Sequence, residues 1–234
     1  MKNLLEVSFS GWTATPRMPF VLSGGAICLP VPTYSLLLGL IGCCIGRMVE
    51  PGEVAVGFHY SFDNTAKDLE TRDRLAFDGK QLKPHPKGTD VYIREFHVKP
   101  TLTLWLDRLD WAAFFDSPVG TPSLGRSQDL LCIQSVREVA ARPVAQGVLS
   151  GCLLPFAPQL QVGGRLAQLA EAYRDNDTIG GGRTATRIGM FVAVHWDSPA
   201  MVSLPGLYEV ERDEGPLCFY LHRFHHESIV VLKM

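Results

Sequence analysis

Residues 31–46 read VPTYSLLLGLIGCCIG, a leucine-rich, nearly charge-free stretch broken by Gly39, Gly42 and Gly46. Its reading decides the fold. A bilayer-spanning helix needs about 20 apolar residues, and the run from Leu36 to Ile45 is about half of that before Arg47 ends it. A secretion signal would place its apolar core close behind a basic leader. The N-terminus instead reads NLLEVSFSGW, with Leu5, Val7 and Phe9 alternating against Glu6, Ser8 and Ser10, the pattern of a half-buried strand. The stretch is therefore a core helix. Pro30 and Pro32 keep the preceding chain extended, Thr33 or Ser35 can cap the first turn, and the helix is expected to run to about Met48. Its glycines fall three to four residues apart and leave one face almost bare backbone. Glycine costs about 1 kcal/mol relative to alanine within a helix, which suggests close packing, most simply of the helix flat on a sheet. The plain reading of its body is packed core. Its N-terminus, with free N–H groups and the positive end of the dipole, suits an anion.

Working outward, the 234 residues are 46% hydrophobic and 20% charged, as expected of a globular protein of one or two small domains. The six cysteines (Cys28, Cys43, Cys44, Cys132, Cys152, Cys218) form no C-x-x-C pair and no zinc-spaced cluster with histidine. A reduced cytoplasmic protein with no membrane segment is the expectation. A net charge of −2 argues against a protein that coats nucleic acid over its whole surface, but leaves room for a local basic groove.

After the first strand, GWTATPRMPFVLSGGAICLPVP is a long connection and a candidate functional loop. EVAVGFHYSF, VYIREFHVKP and TLTLWLD read as strands. Between them, residues 62–90 are polar and charged. They form either a solvated loop or a projecting hairpin arm, in which RLAF and KQLK flank a type I′ signal at Asp78-Gly79. Lys80, Lys83, His85 and Lys87 would make its tip basic, which suits a phosphate backbone. DWAAFFDSP reads as a short helix, and SLGRSQDL as a loop feeding a further strand. The order matches an α+β, ferredoxin-like βαββαβ unit over residues 1–143. Residues 144–234 read as a smaller, strand-rich part, with RLAQLAEAYRDN as a helix between GVLSGCLLPF and RIGMFVAVHW.

No paired-carboxylate motif, P-loop, G-x-S-x-G or H-E-x-x-H is present, and HRFHH near the end lacks companion metal ligands, so no cofactor or metal is expected. Two Gly-Arg loops carry more information. Gly125 and Arg126 in SLGRSQDL pair a close backbone approach with a bidentate fork for phosphate or carboxylate. DTIGGGRTATRIG does the same with Gly180–Gly182, Arg183 and Arg187, without dinucleotide or Walker spacing. A glycine-rich loop alone is more often just a turn. Together with the helix start and the charged segment, these loops favour single-stranded nucleic acid over a sheet-based fold.

The strand LEVSFSGW, the Pro-rich loop and LPVPTYSLLLGLIGCCIG resemble the N-terminal signature of the CRISPR-associated Cas-five family: strand, loop, then P-P-x-S-x-x-x-G-L-(L/I)-(A/G). IREFHVKPTLTLWL is similar to that family's R-E-(F/Y) strand, SLGRSQDL to its L-G-R-(S/K) loop, and the charged insertion to its thumb, over residues 1 to about 135. The style most resembles the type I-B subgroup. The resemblance implies a subunit of Cascade with the RRM-related fold of the RAMP superfamily. Such a subunit holds the 5′ handle of the crRNA and caps the Cas-seven filament. It also contacts the large, Cas-eight type subunit and meets target DNA only through the complex. Carried onto this chain, Thr33, Tyr34 and Ser35 would receive the handle and Arg126 and Ser127 would clamp its backbone. Lys80, Lys83 and Lys87 would lie on the thumb, with Arg17 a further contact in the first loop. Type I-C members cut precursor RNA with a Tyr, a Lys and a His. Tyr34 falls near the right helix, but no adjacent Lys-His pair follows, so a non-catalytic binder is the leading expectation. A metal-independent endoribonuclease is the runner-up. An interaction module without an RNA role is the third reading.

Overall fold

The alternation along the first strand builds one wall of the core, and the strand's neighbours follow from it. In the computed structural model, which describes residues 1–19, 25–158, 160–176, 182–213 and 215–224, the chain opens with β1 (Lys2–Gly11), β2 (Thr13–Ala14) and β3 (Gly25–Ala26). There follow α1 (Tyr34–Ile45), β4 (Ala55–Ser61), β5 (Asn64–Phe77), β6 (Leu82–Val98) and β7 (Thr101–Leu106). A 3-10 turn at Leu109–Trp111 leads into α2 (Ala112–Asp116) and then β8 (Leu131–Pro143). The remaining strands are β9 (Gly147–Leu149), β10 (Cys152–Pro155), β11 (Arg165–Asp175), β12 (Arg183–Val194), β13 (Ala200–Val202), β14 (Leu207–Val210) and β15 (Leu217–Arg223). The fold is thus mixed but mostly strands, with two short helices among the described residues.

Six strands close into a barrel in the order β1-β7-β4-β15-β14-β8, every pairing antiparallel. Strands from both expected regions share it, because β14 and β15 join β8 to β4. On one side of β1, Leu5, Val7 and Phe9 pack into the core that also holds Leu37 and Ile41 of α1 and Phe115 of α2. On the other side, Leu4 meets Trp105 and Phe219, whose rings stack at 4.1 Å. Glu6 is fully buried there. Trp105 Nε1 (2.7 Å), Arg137 Nε (2.8 Å) and both outer nitrogens of Arg212 (3.0 and 2.6 Å) donate to its carboxylate. Removing this carboxylate would leave the buried Trp105 Nε1 without its acceptor, at a cost of about 1–3 kcal/mol.

Helix α1 starts as its sequence requires. Thr33 is the N-cap, its Oγ1 accepting from Leu36 N at 3.2 Å, and the helix ends at Gly46, whose φ of +84° is the left-handed geometry of a glycine stop. The expected bare-backbone face is split. A Cβ on Gly42 would lie 2.7 Å from Arg47 O, whereas one on Gly39 would meet nothing within 4 Å. Gly39 therefore opens onto a groove and is not pressed against a sheet.

One expected element is overturned. Residues 165–175 form strand β11 and not a helix, paired along its length with β12 from Arg165↔Ala193 to Asp175↔Arg183. Leu, Ala, Gln and Glu favour a helix locally, but Ala167, Leu169 and Glu171 turn inward at a period of two and α1 packs against them. Tertiary pairing overrides propensity here.

Candidate nucleic-acid interface

Residues 62–90 lie largely within a long hairpin arm. β5 and β6 pair from Asn64↔Val98 to Phe77↔Leu82, and their root is clasped by the first loop, through Thr13↔Val98 and Gly25↔Ile93. The long connection thus carries two short strands that hold the arm; its residues 20–24 lie outside the described residues. The tip is a four-residue loop and not a two-residue type I′ turn. Phe77 pairs with Leu82, Gly79 takes φ +93°, and the Asp78 carboxylate accepts from Lys80 N and Gln81 N, both at 2.9 Å. That Asx geometry stabilises a wider turn than the Asp-Gly signal suggested. Lys80, Lys83 and Lys87 are exposed, with Lys83 Nζ 2.6 Å from Asp78. One face of the arm is apolar and open to solvent: Leu69 opposite Ile93, Val91 beside them, and Phe77 opposite Leu82 nearer the tip.

The L-G-R-S loop sits against the arm's root. Gly125 has φ +116°, and a Cβ there would fall 2.3 Å from Thr15 O, so glycine is required. Arg126 does not present a free fork. Its Nε and Nη2 donate to the two oxygens of Asp129 at 3.1 and 3.0 Å, and its Nη1 donates to Glu70 Oε1 at 2.9 Å. Arg94 Nη2 holds the other oxygen of Glu70 at 2.7 Å. Asp129 is fully buried and also accepts from Thr13 Oγ1 at 2.7 Å. Burial pushes the Asp129 carboxyl up, but its hydrogen bonds from Arg126 and Thr13 outweigh that and hold it below the usual carboxylate range. Arg126 is therefore tied to two carboxylates, whereas the L-G-R-S motif suggested a fork for phosphate. Ser127 beside it is exposed. Arg17 is exposed and lines a cavity of about 330 Å³ with Glu70, Tyr92 and Arg94, so Arg17, Gly125, Arg126 and Ser127 do gather at one place, the arm's root.

Tyr34 is also tied to protein groups. Its side chain is 1% exposed, its hydroxyl donates to Leu153 O at 2.6 Å, and its ring stacks on His222 at 4.0 Å. It faces inward because the first turn of α1 docks on β10 and β15, so as placed it is a core residue. Thr33 and Ser35 are half-buried at the helix start and share a hydrogen bond of 3.0 Å. Ser35 and Arg183 line the groove of about 450 Å³ over Gly39, with Arg47 and Tyr173. Arg183 is exposed and pairs with Asp175 at 2.9 Å; Arg187 lies 3.5 Å from the buried Glu171. Gly180, Gly181, His225 and His226 lie outside the described residues. Among the described residues no group of three potential metal ligands forms, and no helix is long and apolar enough to cross a membrane. Sequence reasoning missed Glu70, which meets Arg126 and Arg94 from a separate segment, Arg94 itself, and Asp129, which lies three residues from Arg126 in the same loop.

With this geometry in place, the solved structures supply a likeness. The fold is similar to that of a chain in a CRISPR RNA-guided surveillance complex. The two share 16% identity at a TM-score of 0.54, over 86% of this chain and 90% of the other. A CRISPR protein from Archaeoglobus fulgidus (11% identity, TM-score 0.43, 94% and 99% covered) and a Cas protein (15%, 0.44, 87% and 95%) are weaker likenesses. No protein-family model and no curated protein matches the chain.

Proposed function

We propose that this chain is a non-catalytic, RNA-holding subunit of a Cascade-type CRISPR surveillance complex, one that binds the 5′ handle of the crRNA and caps a filament of Cas-seven subunits. The observation that carries the reading is the arm: a two-stranded hairpin with lysines at its tip, locked at its root to the L-G-R-S loop through Arg126 and Glu70. A basic, solvent-exposed tip is a surface for a phosphate backbone. The run β8-β1-β7-β4, with α1 joining β1 to β4 and α2 joining β7 to β8, reads as the ferredoxin-like βαββαβ unit, extended to a barrel by β14 and β15. The fold likeness to a chain of an RNA-guided complex supports the same reading.

In this reading Lys80, Lys83 and Lys87 contact the backbone of the guide, and Ser127, Arg17 and the hydroxyls of Thr33 and Ser35 receive the handle. Arg126 acts by positioning the arm. The exposed apolar face at Leu69, Val91 and Ile93 meets neighbouring protein subunits, the filament or the Cas-eight type large subunit, since free solvent would not favour it. Cutting of the precursor is left to a separate subunit. The test is co-expression with the filament subunit and a repeat-spacer RNA, followed by nuclease protection of the purified assembly. Protection of the handle that disappears when this chain is omitted is the expected result. Equal protection without it sinks the reading.

A further inference from the structure

A second concave site lies under the arm's root, built by segments that no motif connects. It is a cavity of about 470 Å³, within the size range of small-molecule sites. Phe62, Thr65, Glu95, His97, Arg165 and His195 line it. One wall is fixed and aromatic. The rings of Phe62 and His97 stack at 3.7 Å and 11°, and His195 meets Phe62 edge-on at 5.1 Å. His97 is 2% exposed, and its Nδ1 is hydrogen-bonded to the Tyr60 hydroxyl at 2.8 Å. Burial and the nearby His195 push the His97 imidazole down to about 3, so it is neutral. Arg165 spends one N–H on Cys28 O at 3.2 Å.

Glu95 is the unusual member. Glu6, Glu53, Glu70 and Asp129 are all held by cations or N–H donors, whereas among the described residues the half-buried Glu95 carboxylate has no hydrogen bond or ion pair within 4 Å, with Lys67 its cross-strand neighbour. The Glu95 carboxylate lines the cavity and can take a further donor there. The surroundings specify what can. A flat aromatic wall takes a planar ring, a carboxylate takes N–H donors, and Arg165 takes acceptors.

We infer that this cavity is a pocket for one nucleobase that carries an exocyclic amino group, guanine, adenine or cytosine, with its donor edge on Glu95. Uracil offers a single N–H between two carbonyls and would set lone pairs against the carboxylate. The inference rests in part on the RNA-holding role, since a base of the bound strand is the nearest source of such a ring. A free nucleotide has the same chemistry.

The two sources separate in one set of measurements. In the reconstituted complex, handle positions are changed to uridine one at a time. One position is expected to lose affinity about tenfold, the scale of one bidentate base contact, and Glu95→Gln is expected to erase that preference, because an amide both donates and accepts. In parallel the isolated chain is titrated with AMP, GMP, CMP and UMP while its histidine imidazole signals are followed by NMR. The first three are expected to shift His195 and UMP to leave it in place. A nucleotide response without a position effect upholds the pocket and assigns it a free nucleotide. A complex that holds no RNA at all defeats the handle-binding role but leaves the nucleotide titration as the judge of the pocket. No nucleotide shift and no position effect, or equal responses to uracil, overturns the inference.

Discussion

Arg126 Nη1 donates to Glu70 Oε1 at 2.9 Å, across 56 positions of chain, and so joins the L-G-R-S loop to the first strand of the arm. The same guanidinium holds both oxygens of Asp129, which is fully buried. Arg126→Ala therefore leaves a buried, unpaired carboxylate, a change that costs about 3–5 kcal/mol. Urea unfolding of the isolated chain, with no RNA present, is expected to show a loss of that order. A variant as stable as the parent but defective in RNA retention would instead make Arg126 a direct contact.

The same network sets a pH dependence. Arg94 and then Arg126 hold the Glu70 carboxyl below its usual range, and Asp129 is lowered as well. Both are ionised more readily when folded. Their contribution is present above about pH 4, the ordinary carboxylate range, and is lost as pH falls through the lowered folded values. Asp129→Asn is expected to be less stable at pH 7 and to show a flatter decline in acid, as followed by thermal unfolding across pH 2–6.

His97 acts in a higher window. Its folded imidazole is pushed down to about 3, while the unfolded chain takes up a proton near 6.5. The unfolded state therefore binds more protons, and stability falls as pH drops from about 6.5 toward 3. Unfolding free energies at pH 7, 6 and 5 are expected to descend in the wild type and to descend less steeply in His97→Gln, where the half-buried His59 still contributes. Equal slopes would show that His97 is charged in the folded protein.

The glycines make opposite predictions. Gly39→Ala meets no neighbour and is expected to stabilise α1 by about 0.5–1 kcal/mol. Gly125→Ala combines φ +116° with a Cβ 2.3 Å from Thr15 O and is expected to cost more than about 2 kcal/mol, with loosening of the arm's root. Chemical denaturation of the two variants side by side checks both signs.

Helix α1 was legible at its start, where prolines and a Thr N-cap are local, but Gly46 stops it at Ile45, short of the expected Met48. The arm was legible from its turn residues, though Asp78 made a wider loop by capping its own backbone. Strand β11 was not, since RLAQLAEAYRD has helical propensity and is held extended by pairing with β12, the next strand of the chain, and by burial of its inward face. The barrel closure depends likewise on strands that meet across most of the chain, such as His222↔Val56. The site divided the same way. Lysines at an exposed tip can be read one at a time, but the fate of Arg126 depends on Glu70 and Asp129. The base pocket joins Glu95, Arg165 and His195 from separate segments, and no spacing in the sequence announces it.

The lysines at the tip are a readout of backbone contact. Replacing Lys80, Lys83 and Lys87 by alanine is expected to leave folding stability within about 0.5 kcal/mol of the parent, as for exposed positions. Guide retention by the assembly should weaken, with a shallower dependence on salt. Filter binding from 50 to 400 mM salt separates this from a change in folding.

The most direct test of the central reading is a single gel: the purified chain with repeat-containing RNA in EDTA, alone and with the filament subunit. Intact RNA, retained only when the filament subunit is present, is the predicted result. A discrete metal-independent cut upstream of the handle by the chain alone would contradict it and make the protein the processing nuclease.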